Sequence, residues 1–510
     1  MRKSDTISAN LNLSSNLWRG LFQHPLFFSG ALIVAAWAQY YSVGHSMNAA
    51  GPFIAYPIWL ILSTRSSWRR YSAVYLVFIG SCLAAWNGVI EDEALSVIVV
   101  SSIGTVMFLP FLILRLAFER INRGLRHLLF PSTIVVVEWL LSLLSPYGSF
   151  GSIAYSQWNN SILLQSASIG GLAIVSFMIG WFASVVADLL DHRPGRPVTG
   201  TGLAFLAVVI LLTFLGMYRL SSGERVKRIR MASVVVDIEH MRGPVLRRIL
   251  LGEASDTDLI RHEEQIGILH DTLLSETEKE AHAGALLVSW AEGNAQVFAG
   301  RESLLIERAR ETARRLHIYL LVSPGVIHSG KNQFDLDAVL IDPQGEVLGS
   351  YKKQTVVPGD TNVAGGHDLP VIPIEFGRAG IAICFDADFP DLLNPLTEGM
   401  ADFLLLPSSD WAAITPFHSR MSAFRAVEQG VSLLRPVYAG RSMAFDPYGN
   451  VIAENDFFES ENRNMVANLP VKRQFAVGGT GSFLMRLLAM CITLANFFSL
   501  VATKRDERPG

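Results

Sequence analysis

Long apolar stretches separated by short loops fill the first 220 residues and most constrain how this chain can fold. Stretches of roughly 17–25 apolar residues can cross a bilayer as helices. Seven are predicted before residue 221: Pro25–Ser42, Gly51–Ser63, Tyr71–Trp86, Ala94–Phe118, His127–Ser145, Ile162–Leu189 and Gly202–Leu220. An eighth, Ser482–Thr503, lies near the end of the chain, and the first is predicted to be retained rather than cleaved. Since half of the 510 residues are hydrophobic and only 17% are charged, the composition is that of a membrane protein with a polar part.

The loop charges predict an orientation. Lys and Arg occur before the first span, in every second loop and after the last span: Arg2, Lys3, Arg19, Arg65, Arg69, Arg70, Arg120, Arg123, Arg126, Arg193, Arg196, Lys504, Arg505 and Arg508. The intervening loops, 43–50, 87–93 and 146–161, contain neither residue type. Because basic loops stay in the cytoplasm, the pattern predicts eight crossings with both termini inside. The predicted parts are a bundle at 1–220, a domain outside the cytoplasm at 221–481, a helix at 482–503 and a cytoplasmic tail at 504–510.

The middle of the chain alternates short β-branched runs with helical stretches. Predicted strands are Ala232–Ile238, Ala285–Ser289, Ile318–Val322, Ala338–Ile341, Ala379–Cys384, Phe403–Leu406 and Ser442–Phe445. Predicted helices are Asp256–Ala281, Arg301–Leu316, Pro390–Gly399 and Phe417–Gly430. This alternation predicts a layered α/β domain of about 250 residues. A net charge of −3 gives no reason to expect a nucleic-acid partner.

Cys384 is the one cysteine of this middle region, since Cys82 and Cys491 lie in apolar stretches, so a disulfide framework is excluded there. It ends an apolar run and precedes a polar loop with Asp386 and Asp388. Reactive groups of open α/β folds stand at such strand ends. A buried structural cysteine fits this segment equally well.

Two further strand ends favour catalysis. The run Leu286–Ser289 leads into Glu292, whose carboxylate beside a thiol can accept the thiol proton. A hairpin leads into Lys352 and Lys353, and an ammonium there can depress a thiol pKa and stabilise an oxyanion. Each charge alone is more typical of a solvated surface. Three such groups at strand ends, in the order Glu, Lys, Cys, are much less expected by chance than any one of them alone.

These residues carry a family resemblance. The middle of the chain resembles the carbon–nitrogen hydrolase (nitrilase) superfamily, and nearly the whole chain resembles its membrane branch, the apolipoprotein N-acyltransferases. Supporting motifs are Glu138-Trp139, Pro146-Tyr147-Gly148, Ala154–Gln157, Leu164–Ala167, Ser409-Asp410-Trp411, His418, Arg425–Glu428, Leu434-Arg435 and Gly440–Ser442. The resemblance implies an αββα sandwich joined to the spans, with Glu292 as general base, Lys353 as the family lysine and Cys384 as the acylated nucleophile.

The same resemblance implies a reaction and its partners. A phospholipid donates an acyl chain to the cysteine, and the thioester passes it to the N-terminal amine of a diacylglyceryl lipoprotein. We therefore expect a multi-pass monomer in the bacterial inner membrane, with a periplasmic catalytic domain, no cofactor and no metal. The secondary or substrate-orienting candidates are Asp360, Phe385, Asp386, Trp411 and Arg425.

Departures from the family pattern concern the rim of the site. The segment Val357–Asp360 lacks one residue and ends in a shorter carboxylate, and Phe385-Asp386 replaces Tyr-Glu. Val431-Ser432 replaces Arg-Pro, and Tyr438 replaces Asn. Because of these changes, the identity of the acyl acceptor is left open. The sequence also does not identify the acyl chain, the lipid headgroup or the oligomeric state.

Several alternatives remain at this point. One is a membrane-tethered amidase with water in place of the amine, and another is a divergent paralogue with a different acceptor. A catalytically weak scaffold protein is a third, whereas a transporter is disfavoured because the spans carry few ionisable residues. The loop Gly359–Leu369 is either a mobile lid or an ordinary surface loop.

Overall fold

The computed structural model describes residues 24–118, 120–190, 199–221, 226–366 and 368–506. Part of the predicted tail and several charges used to predict the orientation lie outside these residues: Arg2, Lys3, Arg19, Arg193, Arg196 and Arg508. The described residues form two compact units. A helical unit contains the residues up to Ser145, Ser149–Arg219 and those from Thr480 onward, and an α/β unit contains Pro146–Gly148 and Leu220–Gly479.

The helical unit consists of apolar helices joined by short connections. Its main helices are Pro25–Tyr40, Gly51–Arg65, Trp68–Ala85, Glu93–Ala117, Arg123–Leu144, Ala167–Leu190, Gly200–Ser221 and Gly478–Asp506. Within the described ranges, five helical stretches are long and apolar enough to cross a membrane: Glu93–Ala117, Gly124–Leu144, Ala167–Leu190, Gly200–Ser221 and Gly478–Phe498. The first two helices have only 16 and 15 residues, and the third begins with Trp68 and two arginines. Five apolar helices are therefore shown, and eight crossings remain a prediction.

Glu138 connects two of these helices. Its carboxylate accepts the Ile153 backbone N–H at 2.9 Å and the hydroxyl of Ser176, on the helix Ala167–Leu190, at 2.6 Å. Close approach of the same helices requires a glycine, because a Cβ at Gly180 would lie 2.8 Å from the Pro131 Cα. Glu138 thus has a structural position between helices.

The α/β unit contains sixteen strands in its described residues. They are β1 Arg228–Val234, β2 Leu287–Trp290, β3 Ala295–Phe298, β4 Tyr319–Val322, β5 Pro324–His328, β6 Gln333–Ile341, β7 Val347–Lys352, β8 Val371–Ile374, β9 Gly377–Ile381, β10 Phe403–Leu405, β11 Ser408–Ser409, β12 Ser432–Arg435, β13 Val437–Tyr438, β14 Arg441–Phe445, β15 Val451–Asp456 and β16 Met465–Pro470. The first sheet has the order β16-β1-β2-β4-β6-β5-β3, with β7 paired to β6. The second has the order β15-β14-β12-β10-β9-β8, and β11 pairs with β13.

Helices cover the sheets. Asp256–His282 and Glu302–Leu316 lie against the first sheet, and Phe417–Gln429 lies against β12 and β14 of the second. The two sheets contact each other through β16, which meets β12, β14 and β15. The core beside the first two helices is apolar and includes Leu273, Trp290 and Leu305. This is the α/β domain that the sequence predicts.

The predicted elements occur with shifted ends. The prediction Ala232–Ile238 corresponds to β1, which starts four residues earlier because Arg228–Ser233 pair with β16. The predicted helix Pro390–Gly399 is instead a 3-10 turn, Pro390–Leu393, followed by the short helix Asn394–Glu398.

Candidate active site

Three strand ends supply the predicted catalytic residues. Glu292 follows β2 of the first sheet, and Lys353 follows β7. Cys384 follows β9 of the second sheet and begins the 3-10 turn Cys384–Asp388. In the first sheet β2 runs parallel to β1 and β4, and in the second β9 runs parallel to β10, so Glu292 and Cys384 follow carboxyl ends of parallel strands, whereas Lys353 follows β7, which is antiparallel to β6.

The structure brings the three side chains together in a buried cluster. Lys353 Nζ donates a hydrogen bond to Glu292 Oε1 at 2.7 Å, and each of the three residues is only 2% exposed. Both charged groups act electrostatically on the Cys384 thiol. Glu292 Oε2 is buried and has no hydrogen-bond partner among the described residues, so a carboxylate oxygen is available to take a proton.

Cys384 has an unusual backbone conformation. Its φ of +46° lies in the left-handed region, where side chains other than glycine are uncommon and which recurs at functional sites. The backbone is held there because Cys384 N–H donates to Pro407 O at 2.9 Å. The thiol sulfur lies 3.6 Å from Ser409 O, to which it donates. The 407–409 segment thus contacts both the backbone and the sulfur of Cys384.

One short segment, Pro407–Asp410, connects the two sheets at the site. Besides the two bonds to Cys384, its Ser408 carbonyl accepts the Glu292 backbone N–H at 3.3 Å. The proposed base and nucleophile therefore share a backbone support that follows β10. The sequence contained a signal for it, since this polar segment ends an apolar strand.

Burial is the largest influence on the pKa of the Cys384 thiol. Burial raises the pKa of Cys384 well above its ordinary value, and the Glu292 charge raises it further, while Lys353 opposes both. Burial also disfavours the charged Lys353, but the Glu292 carboxylate outweighs it and raises the pKa of the ammonium. Lys353 does lower the pKa of the thiol, as expected, but burial and Glu292 outweigh it, so the pKa is raised overall. The resting group is a thiol beside an ion pair, and it needs a base at the moment of attack.

Alkylation kinetics should show this protonated state. The rate of Cys384 carboxamidomethylation by iodoacetamide is expected to rise continuously from pH 6 to above pH 9, because the thiolate fraction keeps growing below a raised pKa. The full chain in detergent is sampled by mass spectrometry, and Cys384→Ser gives the background from Cys82 and Cys491. A plateau below pH 8 would contradict the raised pKa.

Asp386 lies behind the nucleophile as a shared acceptor. Its Oδ1 accepts the backbone N–H of Thr355 at 2.9 Å and of Gln354 at 3.2 Å, together with the Thr355 hydroxyl at 2.6 Å. Its Oδ2 accepts the Tyr351 hydroxyl at 2.8 Å and the Ile383 N–H at 3.0 Å. Asp386 is fully buried, and its five bonds fix the nucleophile turn to the segment around Lys353.

The other predicted rim residues have separate positions. Phe385 is buried with its ring edge toward Phe389, and the ring centroids are 5.5 Å apart. Arg425 Nη1 donates to Ala387 O at 3.1 Å and so braces the turn. Asp360 is exposed, yet its charge acts on Lys353. Trp411 is half-buried and precedes the 3-10 turn Ala412–Ile414. Their substrate roles remain predictions.

A buried charge network adjoins the thiol. His418 contacts Asp410 Oδ1 through Nδ1 at 2.7 Å and Asp388 Oδ2 through Nε2 at 2.8 Å. Arg435 Nη2 donates to the same Asp410 oxygen at 3.2 Å. Burial and Arg435 disfavour a charged imidazole, but the two carboxylates outweigh them and raise the pKa of His418 to about 9. The imidazolium is thus held between two carboxylates.

The sequence suggested no metal-ligand spacing, yet potential ligand atoms of Cys384, Asp410 and His418 all lie within 4.8 Å of one another. Both imidazole nitrogens already contact carboxylates. Hydrogen bonding and charge pairing therefore account for this cluster.

The raised pKa of His418 predicts a pH-dependent stability. An imidazole whose folded pKa is about 9 stabilises the fold fully below its unfolded pKa of about 6.5, and this contribution is lost as the pH rises through 9. The difference in melting temperature between the native chain and His418→Gln is expected to shrink between pH 6.5 and 9.5. Thermal unfolding followed by intrinsic fluorescence measures it. His270→Gln is the control, because burial lowers the pKa of His270 and no such change is expected in this window.

The buried charge network around His418 is not evident from the sequence. Asp410 and Arg435 occur within family motifs and Asp388 in a polar loop, but no local pattern predicts that all three converge on His418.

Two protein families match different parts of this chain. Residues 276–472 match the carbon-nitrogen hydrolase family, and residues 29–185 match the apolipoprotein N-acyltransferase N-terminal domain. The apolipoprotein N-acyltransferase of Geobacter metallireducens is 25% identical over 66% of this chain and 68% of its own length. That of Agrobacterium fabrum is 25% identical over 63% of each chain, and apolipoprotein N-acyltransferase 2 of Treponema pallidum is 22% identical over 88% of this chain and 89% of its own.

The two family matches cover different units, and the relatives span both. The match at residues 29–185 lies in the helical unit apart from Pro146–Gly148. The match at residues 276–472 covers the α/β unit from Glu276 and includes Glu292, Lys353 and Cys384. Together these matches support an apolipoprotein N-acyltransferase-like protein of the carbon–nitrogen hydrolase superfamily in a bacterial membrane.

Proposed function

We propose that the chain transfers a fatty acyl group from a membrane phospholipid, through a Cys384 thioester, to the N-terminal amine of a diacylglyceryl lipoprotein. The proposal includes eight spans and an α/β unit on the outer face of the bacterial inner membrane, as the loop charges predict. The observation that carries it is the buried Glu292–Lys353 pair beside a protonated thiol, with Glu292 Oε2 left open.

In the first half-reaction Cys384 Sγ attacks the ester carbonyl carbon of the donor. Glu292 Oε2 takes the thiol proton as the carbon–sulfur bond forms. Lys353 Nζ lies beside the carboxylate and stabilises the developing oxyanion. The tetrahedral intermediate then collapses, the ester carbon–oxygen bond breaks, and Glu292 returns the proton to the departing lysophospholipid oxygen. A thioester remains on the enzyme.

In the second half-reaction the amine attacks the thioester carbon. Glu292 accepts an amine proton, the carbon–sulfur bond breaks, and the proton passes to the sulfur to restore the thiol. The products are an amide and free enzyme, so the kinetics are ping-pong. The same carboxylate thus serves as base and acid in both halves.

The membrane domain favours this transfer over amide hydrolysis. Donor and acceptor are both held in the membrane by acyl chains. This gives a physical reason for joining an α/β unit of the carbon–nitrogen hydrolase type to apolar helices. The match at residues 29–185 is to an N-terminal domain of acyltransferases and supports the same choice. The altered rim at Asp360 and Phe385 leaves a different acyl acceptor as the second candidate.

The test follows the acyl group. The full chain is reconstituted in liposomes of phosphatidylethanolamine with isotopically labelled acyl chains. We expect one labelled acyl group on the protein by mass spectrometry, released by neutral hydroxylamine and absent from Cys384→Ala. The matched control Cys491→Ala removes an exposed cysteine outside the site and should retain the adduct.

Acceptor addition completes the experiment. A diacylglyceryl-cysteine peptide should acquire the label as an N-terminal amide. Labelling of Cys384→Ala to the native level would overturn the thioester. Release of the label only as free fatty acid, with the peptide amine unmodified, would overturn the acceptor.

A further inference from the structure

Arg242 places a positive charge next to Ser409, in the segment that supports the candidate nucleophile. It follows the 3-10 turn Glu239–Met241 and is partly buried. Its guanidinium carbon lies 4.4 Å from the centroid of the Tyr438 ring. Both Nη1 and Nη2 lie 3.4 Å from Ser409 Oγ, the hydroxyl of the residue whose carbonyl accepts the Cys384 thiol. Ser409 thus contacts the Arg242 guanidinium through its hydroxyl and the Cys384 sulfur through its carbonyl.

This charge has no direct counter-ion in the described part of the chain. Glu292 and Asp360 act electrostatically on the guanidinium, but no carboxylate oxygen there lies within the 4.0 Å of an ion pair. The two bonds to Ser409 share one oxygen and are long, so most of the five N–H donors remain available. Arg463 offers a contrast, because it stacks on Phe457 and also pairs with Asp237 at 3.2 Å.

A partly buried arginine without an ion-pair partner is costly unless a ligand supplies the anion. A planar guanidinium matches the oxygen geometry of a phosphate and binds it through two parallel bonds. Stacking on an aromatic ring fixes the plane and leaves the N–H edge free. Tyr438 supplies that ring at the position where the family pattern has Asn, so the stack accompanies a departure of this chain.

We propose that Arg242 forms an anion subsite that binds the phosphodiester of the acyl donor and selects phospholipids over neutral glycerolipids. This rests on the proposed acyl transfer and names its donor class. The headgroup phosphate and the ester belong to one glycerol unit, so a bond to Arg242 strengthens binding of the donor equally in the ground state and the transition state. Arg242 is a specificity-determining residue, and no bond to it forms or breaks in the reaction.

The kinetic test compares two donors with identical acyl chains, phosphatidylethanolamine and diacylglycerol, in mixed detergent micelles. Acyl-enzyme formation by the full chain is measured against donor mole fraction. Arg242→Gln is expected to raise the KM for the phospholipid at least about tenfold, since it removes charged hydrogen bonds, while the KM for diacylglycerol and kcat stay unchanged. Arg242→Lys should recover part of the loss, and Arg463→Gln should change neither donor.

A binding test does not require turnover. Native mass spectrometry compares lysophospholipid with monoacylglycerol on Cys384→Ala and on Cys384→Ala/Arg242→Gln. We expect a phospholipid preference only when Arg242 is present, and inorganic phosphate should compete with it. An equal loss of both lipids, or the same preference without Arg242, would overturn the subsite. If no acyl-enzyme forms from either donor the proposed transfer fails, and this binding preference still decides the role of Arg242.

Discussion

Acyl-enzyme formation should fall by about 10²–10⁴-fold when Glu292 is replaced by glutamine, because the thiol then has no base. Burial holds Cys384 protonated at neutral pH, so the rate depends on a proton acceptor within the site. Glu292 Oε2 is the open carboxylate oxygen, and the amide of glutamine cannot accept the proton. The rate is measured as labelled thioester per second in a single turnover of the reconstituted full chain.

The control for this substitution is Glu280→Gln. Glu280 is also a buried glutamate of the α/β unit, but it accepts a hydrogen bond from Asn464, away from the thiol. We expect it to retain the native rate. If Glu292→Gln kept more than a tenth of the native rate with the same folded fraction, another group would have to remove the thiol proton.

Replacing Lys353 by methionine is expected to destabilise the α/β unit by about 3–5 kcal/mol, because it leaves the buried Glu292 charge without its partner. The same change removes the positive charge that stabilises the oxyanion, so the thioester should be lost as well. Stability is measured as the denaturant dependence of proteolysis within the α/β unit of the full chain, since two units need not unfold together.

A double substitution separates folding from chemistry. Glu292→Gln with Lys353→Met replaces the ion pair by neutral groups of similar size, so most of the lost stability should return while activity stays absent. Lys352→Met is the matched control, because Lys352 is a partly buried neighbour that pairs with Asp335 at 2.9 Å. A double variant as unstable as Lys353→Met would show that the pair has further structural partners.

The sequence predicted the catalytic candidates because each stands in a local pattern. Glu292, Lys353 and Cys384 each end a short apolar strand, and the fold brings such ends together. The residues that pair with His418 were harder to predict from the sequence. Asp388 looks like one more polar loop residue, and only the return of the chain at the helix Phe417–Gln429 brings His418 to it.

The effect of Lys353 on the thiol pKa was predicted with the right sign, but its balance against burial could not be. The sequence does not report how completely Cys384 is buried. Desolvation is the largest influence on this thiol and raises its pKa overall. Strand ends were shifted for a similar reason, since Arg228 and Arg230 belong to β1 only because β16 pairs with them. That pairing spans more than 200 residues of sequence and leaves no local pattern.

The shared carboxylate of Asp386 has a consequence for how the enzyme can respond to its substrate. The backbone N–H groups of Thr355 and Ile383 donate to different oxygens of the Asp386 carboxylate. A shift of either segment would therefore strain the hydrogen bond to the other. A long acyl chain that displaced the residues after Lys353 would, in the same motion, rotate the turn bearing the sulfur. Occupation of that segment and the position of the nucleophile would then be mechanically coupled.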